Sequence, residues 1–200
     1  MKSLRMYPSS INEKYLDDVV ETLREGGVII YPTDTLYAFG CDALNNNAIE
    51  RLCKIKGMNP QKQTLSIVCD GISMASEYAK IDNEAFRILR ANLPGPFTFI
   101  LPAATTLPKV FKGRKEVGIR VPDNEIARAI ASKLGHPVLS TSVPLGDEAS
   151  VDPQAVAYDY SEMATLLVDG GEGDIIPSTI VDITDSRNPE IVREGKGVLG

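Results

Sequence analysis

The sequence has no tryptophan, a single histidine (His136), and three scattered cysteines, Cys41, Cys53 and Cys69. The thiols form no Cys-x-x-Cys and no Cys/His pair, so neither a disulfide framework nor a metal site is expected. They read as buried, reduced thiols of a cytoplasmic protein. His136 precedes a proline at a turn and no nucleophile–base pair involves it, so it reads as structural. No apolar run approaches the ~20 residues of a membrane helix. Residues 1–10 are polar and carry no signal-peptide core, so no membrane partner is expected. Familiar nucleotide signatures are also missing. There is no phosphate loop ending in Gly-Lys-Ser/Thr, and Gly170-Gly171-Glu172-Gly173 does not make a dinucleotide-binding turn opening a helix. Neither HExxH nor GxSxG occurs. The net charge of −6 argues against a protein that coats nucleic acid by bulk attraction. It leaves room for a local basic cleft, because field focusing depends on the site and not on the total.

What is present suits one domain over residues 1–200, with ordinary hydrophobic (43%) and charged (24%) fractions. Ser10-Ile11-Asn12-Glu13 fits a capping box opening a first helix, which Gly26-Gly27 stops. Residues 28–31 form a continuous apolar strand, covered on both faces. Asn45-Asn46-Asn47 caps a second helix ending at Gly57, followed by a basic loop over 57–63. Further strands are expected at 65–69, 97–101, 117–121, 137–140, 166–168, 179–183 and 190–193. Further helices are expected at 73–79, 83–92, from a cap at Asp123 through Leu134, and near 154–160. Residues 102–116, rich in cations and poor in apolar anchors, read as an exposed, mobile connector. Alternating strands and helices predict an α/β (α+β) fold, a largely parallel or mixed sheet flanked by helices.

Polar motifs cluster at strand ends, where α/β ligand sites tend to lie. Pro32-Thr33-Asp34-Thr35-Leu36-Tyr37 places two hydroxyls, a carboxylate and a phenol after a buried strand, more hydroxyls than a turn needs. Lys54, Lys56 and Lys62 lie in and around the basic loop, where lysines also simply complement a helix end. Arg120 sits inside the apolar run Gly118-Ile119-Arg120-Val121 and needs a carboxylate, carbonyls or a ligand anion. Ser140-Thr141-Ser142 and Pro177-Ser178-Thr179-Ile180-Val181-Asp182 offer more hydroxyls, and Arg193 another cation. Together they imply a cleft for an anionic, nucleotide-like ligand.

These motifs, with Pro94-Gly95-Pro96 and Thr98, resemble in order and over nearly the whole chain the YrdC-like family of threonylcarbamoyl-AMP synthases. The resemblance implies a twisted mixed sheet with a concave, positively charged cleft. It implies a reaction of threonine, bicarbonate and ATP with Mg²⁺ that releases pyrophosphate and feeds threonylcarbamoyladenosine formation on tRNA. By resemblance, Thr33, Thr35 and Tyr37 belong to the threonine pocket. Lys56 and Arg120 are the candidate catalytic cations. Lys56, Lys62, Arg120, Ser140, Ser142 and Arg193 would hold the nucleotide. Two partners are anions in such chemistry, so the main task is positioning and charge neutralisation.

Two positions depart from the synthase pattern. A Lys-x-Arg motif reads Lys56-Gly57-Met58, and a Ser-x-Asn motif reads Ser142-Val143-Pro144. Met58 brings no charge, and Pro144 has neither a side-chain amide nor a backbone N–H. Lys62 lacks the bidentate fork that would replace the arginine fully. These departures resemble the YciO branch, implying weakened synthase chemistry or action on the tRNA modification in another way, such as its removal. The alternative is a non-catalytic tRNA- or double-stranded-RNA-binding module. Its basic concave face would gather Lys54, Lys56, Lys62, Lys109, Lys112, Arg114, Lys115 and Arg120.

Overall fold

Asparagine and aspartate caps set most of the helix starts. The coordinates are a computed structural model that describes residues 1–108, 111, 115–144 and 151–200. Asn12 caps α1 (Glu13–Arg24), its side chain accepting the Tyr15 N–H at 3.1 Å. The expected cap at Ser10 is thus corrected: Glu13 is the first helical residue, and the Ser10 N–H closes a tight turn onto the Tyr7 carbonyl. Asn45 caps α2 (Asn46–Lys56), and Gly57 ends it in the left-handed region at φ 68°. After the single-turn α3 (Ile72–Ala75), Asp82 caps α4 (Asn83–Asn92). The cap of α5 (Glu125–Leu134) is Asn124, not Asp123, whose backbone N–H is drawn instead to the Asp34 carboxylate at 2.9 Å. Asp152 caps α6 (Pro153–Asp159).

The strands are β1 (Lys2–Arg5), β2 (Ile29–Tyr31), β3 (Ala38–Asp42), β4 (Ser66–Val68), β5 (Phe97–Pro102), β6 (Glu116–Arg120), β7 (Val138–Ser142), β8 (Leu166–Asp169), β9 (Thr179–Asp182) and β10 (Glu190–Arg193). They join one sheet in the order β1-β8-β2-β3-β7-β4-β6-β5-β9-β10. Pairing is mixed: β1 and β2 run parallel to β8, β4 to β6 and β5 to β9, while the other neighbours are antiparallel. The expected mixed α/β architecture is therefore present. Two of its strands, β1 and β3, have no counterpart among the expected elements.

Because successive strand residues face opposite sides, the sheet has two distinct surfaces. One buries Phe39, Ile67, Phe99, Ile119 and Leu139 against α2, α4 and their neighbours. On the other, Ile29, Ala38, Val68 and Val138 pack under α1 and α5, which contribute Leu16, Val19, Ile126 and Ile130. The three cysteines are free and buried. Burial pushes the Cys41 and Cys69 thiols well above the usual range, so they are inert at neutral pH. The expectation of a wholly exposed connector over 102–116 is corrected. Leu107 and Phe111 are buried in the core, and Ala103 bridges to Ala79. Apolar side chains this sparse escape a composition reading but still anchor a segment. Lys109, Lys112 and Arg114 lie outside the described residues. No described helix is long and apolar enough to cross a membrane.

Candidate functional site

The helix-covered face turns polar where α1 and α5 no longer reach. The register places Gly40, Ser140, Ser66 and Gly118 side by side across β3, β7, β4 and β6. Arg120 and Ser142 lie two residues further along their own strands, on the same face. Thr98 on β5, with Ser178 and Arg193 near the last two strands, completes the boundary. Together these side chains line a cleft of about 140 Å³. Gly118 keeps its floor low: a methyl group there would lie 2.4 Å from Ser66 Oγ.

Arg120 is the buried cation of the cleft. Its guanidinium donates to Asp34 Oδ1 at 2.6 Å, and the two side chains are only 8% and 7% exposed. Its Nε is buried and has no hydrogen-bond partner among the described residues. A buried guanidinium nitrogen without an acceptor is costly. Arg120 also lines the cleft, where an anion would meet its positive charge. Arg193 donates through Nε and Nη2 to the Ser178 carbonyl, and Nη2 also lies 3.3 Å from Ser178 Oγ. Desolvation first, and then the nearby Arg120 charge, pull its pKa below the usual arginine value. Two guanidinium groups held within each other's field are stabilised by any anion placed between them. Ser178 Oγ in turn shares a hydrogen with Thr98 Oγ1 at 2.8 Å.

Lys56 reaches the cleft rim from the end of α2, donating Nζ to the Ser142 carbonyl at 2.5 Å. Burial pushes its pKa down. Met58, where the synthase pattern has arginine, lines the cleft. It also walls a second hollow along α2, into which Lys54 faces.

The structure thus brings Arg120, Ser140, Ser142 and Arg193 into one cleft with Lys56 at its edge. Thr33 and Thr35 are placed differently. Thr33 Oγ1 donates to the Leu36 carbonyl at 2.7 Å and accepts the Thr35 N–H at 3.1 Å, and the two hydroxyls lie 3.1 Å apart. Their visible bonds shape the turn that presents Asp34 to Arg120. Tyr37 is buried, donates to the Gly171 carbonyl at 2.6 Å and accepts the Gly170 N–H at 3.1 Å. It anchors the 170–173 loop. Lys62 is exposed and is not among the cleft-lining residues. Lys196, a residue the motifs did not single out, straps the same region. Its ammonium contacts the Asp34 carbonyl and the Asp174 carboxylate, each at 2.8 Å, and the latter bond holds the Asp174 pKa low. Ser66 was also missed. Its signal is a small polar residue alternating with apolar ones in Leu65-Ser66-Ile67, the same period that brings Ser140 and Ser142 to one face. His136 pairs with Asp42 at 2.7 Å, away from the cleft lining, as a structural histidine does. Among the described residues, no group of three or more His, Cys, Asp or Glu side chains is placed to hold a metal ion.

Comparison with known proteins shows the family. The family model described as Sua5/YciO/YrdC, telomere recombination, matches residues 21–195. The YciO protein of Escherichia coli K12 is 39% identical over 196 residues, covering 96% of this chain and 94% of the relative. The crystal structure of E. coli YciO superposes with a TM-score of 0.91 at 36% identity, covering 99% of this chain and 98% of that one. P. abyssi Sua5 complexed with L-threonine gives a TM-score of 0.87 at 29% identity, covering 98% of this chain and 58% of Sua5. With the family model spanning residues 21–195 and the E. coli relative 39% identical and superposable along nearly the full length, this chain belongs to the Sua5/YciO/YrdC family, in its YciO branch.

Proposed function

We propose that the cleft binds an adenine nucleotide and its threonylcarbamoyl derivative, and that the chain acts on this moiety as an enzyme of the threonylcarbamoyl-AMP synthase type or on the same group in tRNA. The buried Arg120 carries the proposal. It lies beside Arg193 in a hydroxyl-lined cleft and keeps one nitrogen without an acceptor. Asp34 offsets only one of the two guanidinium charges at the cleft, and Arg193 forms no ion pair among the described residues. The threonine bound to the related P. abyssi Sua5 supports the amino-acid part of the reading.

In the synthetic direction, threonine's amine adds carbon dioxide to give a carbamate. A carbamate oxygen attacks the α-phosphorus of ATP, and pyrophosphate leaves with the electron pair of the broken P–O bond. Arg120 and Arg193 would neutralise the gathering negative charge, Ser140 and Ser142 would donate to phosphate oxygens, and Lys56 would hold the carbamate. Mg²⁺ would travel with the triphosphate, held by its oxygens. Met58 and Pro144 remove a cation and an amide, so turnover in this direction is expected to be low. Incubation with threonine, bicarbonate and ATP, followed by pyrophosphate release, tests the reaction. Calorimetric titration with ATP tests the binding step. Pyrophosphate release at the rate of a full synthase would refute the proposed weakening, and absence of ATP binding at millimolar concentration would refute the nucleotide reading.

A further inference from the structure

Tyr31 is a polar residue that the mechanism leaves unused. It is fully buried on β2, in the apolar layer under α1 and α5, yet its hydroxyl is not wasted there. It donates to Ser140 Oγ at 2.6 Å, a short bond that spans β3 to reach β7. The route exists because Gly40 lies between them. Gly40 is the register partner of both Ile29 and Ser140, and a Cβ at that position would stand 2.8 Å from Tyr31 Cε1 and 2.9 Å from a Val138 methyl. The phenol therefore lies across a glycine gap in the middle strand, and its oxygen arrives on the same sheet surface beside the cleft-lining Ser140.

This geometry restricts the serine. A serine hydroxyl carries one hydrogen and rotates to suit its partners. With a lone pair of Ser140 Oγ occupied from the core side, its own hydrogen is directed away from Tyr31, and the cleft that Ser140 lines is the open direction. Accepting one hydrogen bond also strengthens the next one donated. We propose that Tyr31 is a positioning residue that presets Ser140 as a hydrogen-bond donor to an anionic oxygen in the cleft, acting through Gly40's missing side chain. Burial raises the Tyr31 pKa to about 12, so the phenol keeps its proton, and its donor role, across the working pH range. The inference rests on the nucleotide reading above and adds a residue that touches no ligand itself.

Calorimetric titration with ATP on four proteins tests it: the parent chain, Tyr31→Phe, Ser140→Ala and the double variant. Tyr31→Phe should weaken binding by about two- to tenfold, the range one hydrogen bond commands. The double variant should bind no worse than Ser140→Ala, because the phenol acts only through that hydroxyl. Additive losses would overturn the relay, as would parent-like affinity in Tyr31→Phe. If the parent chain itself fails to bind ATP, the nucleotide reading falls and takes the relay with it. That result is distinguishable from failure of the relay alone, in which the parent binds and the phenylalanine variant matches it. Should Tyr31→Phe lower the melting temperature, Ser140→Thr provides the second arm. It keeps a hydroxyl and should retain most of the affinity that Ser140→Ala loses. Equal affinities for those two variants would overturn the donor role.

Discussion

Replacing Asp34 by asparagine separates two effects that its carboxylate exerts at once. The charge neutralises Arg120 at 2.6 Å inside a site where both side chains are less than a tenth exposed, and it also accepts the Asp123 N–H at 2.9 Å. Asparagine keeps the size and an acceptor but removes the charge. Breaking one side of a buried ion pair costs about 3–5 kcal/mol. The cleft admits some relaxation here, so the lower end, about 3 kcal/mol, is expected. At about 2–4 °C per kcal/mol for a chain of this length, the melting temperature should fall by about 6–12 °C. The second effect has the opposite sign. In the parent chain a bound phosphate has to share Arg120 with Asp34, whereas in Asp34→Asn the whole guanidinium charge is free for it. A tenfold gain in ATP affinity adds about 1.4 kcal/mol to ligand stabilisation, or about 3–6 °C at saturation. Differential scanning fluorimetry with and without ATP reads both effects. The variant should melt lower without ATP and show a larger ATP-induced shift than the parent chain. Arg120→Ala should melt lower and show little shift. An Asp34→Asn protein that melts within about 2 °C of the parent, or whose ATP shift is not larger, would refute the idea that the carboxylate and the ligand compete for Arg120.

Restoring the synthase pattern with Met58→Arg and Pro144→Asn should raise pyrophosphate release by about ten- to a hundredfold, the scale of one charged hydrogen bond of about 1.5–3 kcal/mol. An unchanged rate would show that these positions do not limit it. Stability should fall as pH rises above the ordinary tyrosine value of 10, because burial raises Tyr31 and Tyr37 to about 12. Between those values the folded chain holds protons that the unfolded chain has released, so unfolding is favoured. At about 1.4 kcal/mol per factor of ten in acidity, Tyr31 alone accounts for about 1.4 kcal/mol of the stability lost between pH 9 and 11, and denaturant melts of Tyr31→Phe at those two pH values should show that share removed. Lys56, whose pKa burial lowers, should lose its charge before an ordinary lysine does, and ATP affinity should begin to fade at correspondingly lower pH, as titration calorimetry would show. If the chain instead acts chiefly as an RNA-binding module, gel shifts with tRNA should weaken steeply between 50 and 200 mM salt; undetectable binding at low salt would remove that reading.

The helices were legible because their ends are chemically marked. Asn45 and Gly57 bound α2 where a sequence reading places them, and α4 spans the expected 83–92. The misplaced caps at Ser10 and Asp123 share one cause. Several candidate cap residues follow one another, and competing contacts decide between them: a local turn onto Tyr7 takes the Ser10 N–H, and Asp34 claims the Asp123 backbone. Strand β3 was hidden because Ala38-Phe39-Gly40-Cys41-Asp42 is not a run of β-branched residues. It becomes a strand through partners on both sides, β2 and β7. At the site, Arg120, Ser140, Ser142 and Arg193 announced themselves as polar residues in apolar company. Asp34 did so only as one member of a dense motif, and its partner could not be read, because an ion pair across 86 positions is a property of the fold.

The cleft's placement follows from one physical difference between the two sheet surfaces. On the surface facing α2 and α4, Ile67, Phe99, Ile119 and Leu139 form a continuous apolar layer across β4, β5, β6 and β7. On the opposite surface the same strands change character along their length. Val68 and Val138 lie under the helices, while Ser66, Ser140 and Ser142 lie beyond them. Period-2 alternation gathers Ser66, Ser140 and Ser142 on one surface, and the limited reach of α1 and α5 leaves part of that surface uncovered. The glycines in the same transverse row both make room on that surface. Gly118 lets the Ser66 hydroxyl lie over the floor, and Gly40 lets the Tyr31 phenol reach across to Ser140. Filling either gap with a methyl group changes how a serine hydroxyl is held, without touching any charge. Affinity for an anion in this cleft is therefore expected to depend on buried aromatic and glycine positions as well as on Arg120 and Arg193. A search confined to the cationic residues would miss that half of the site.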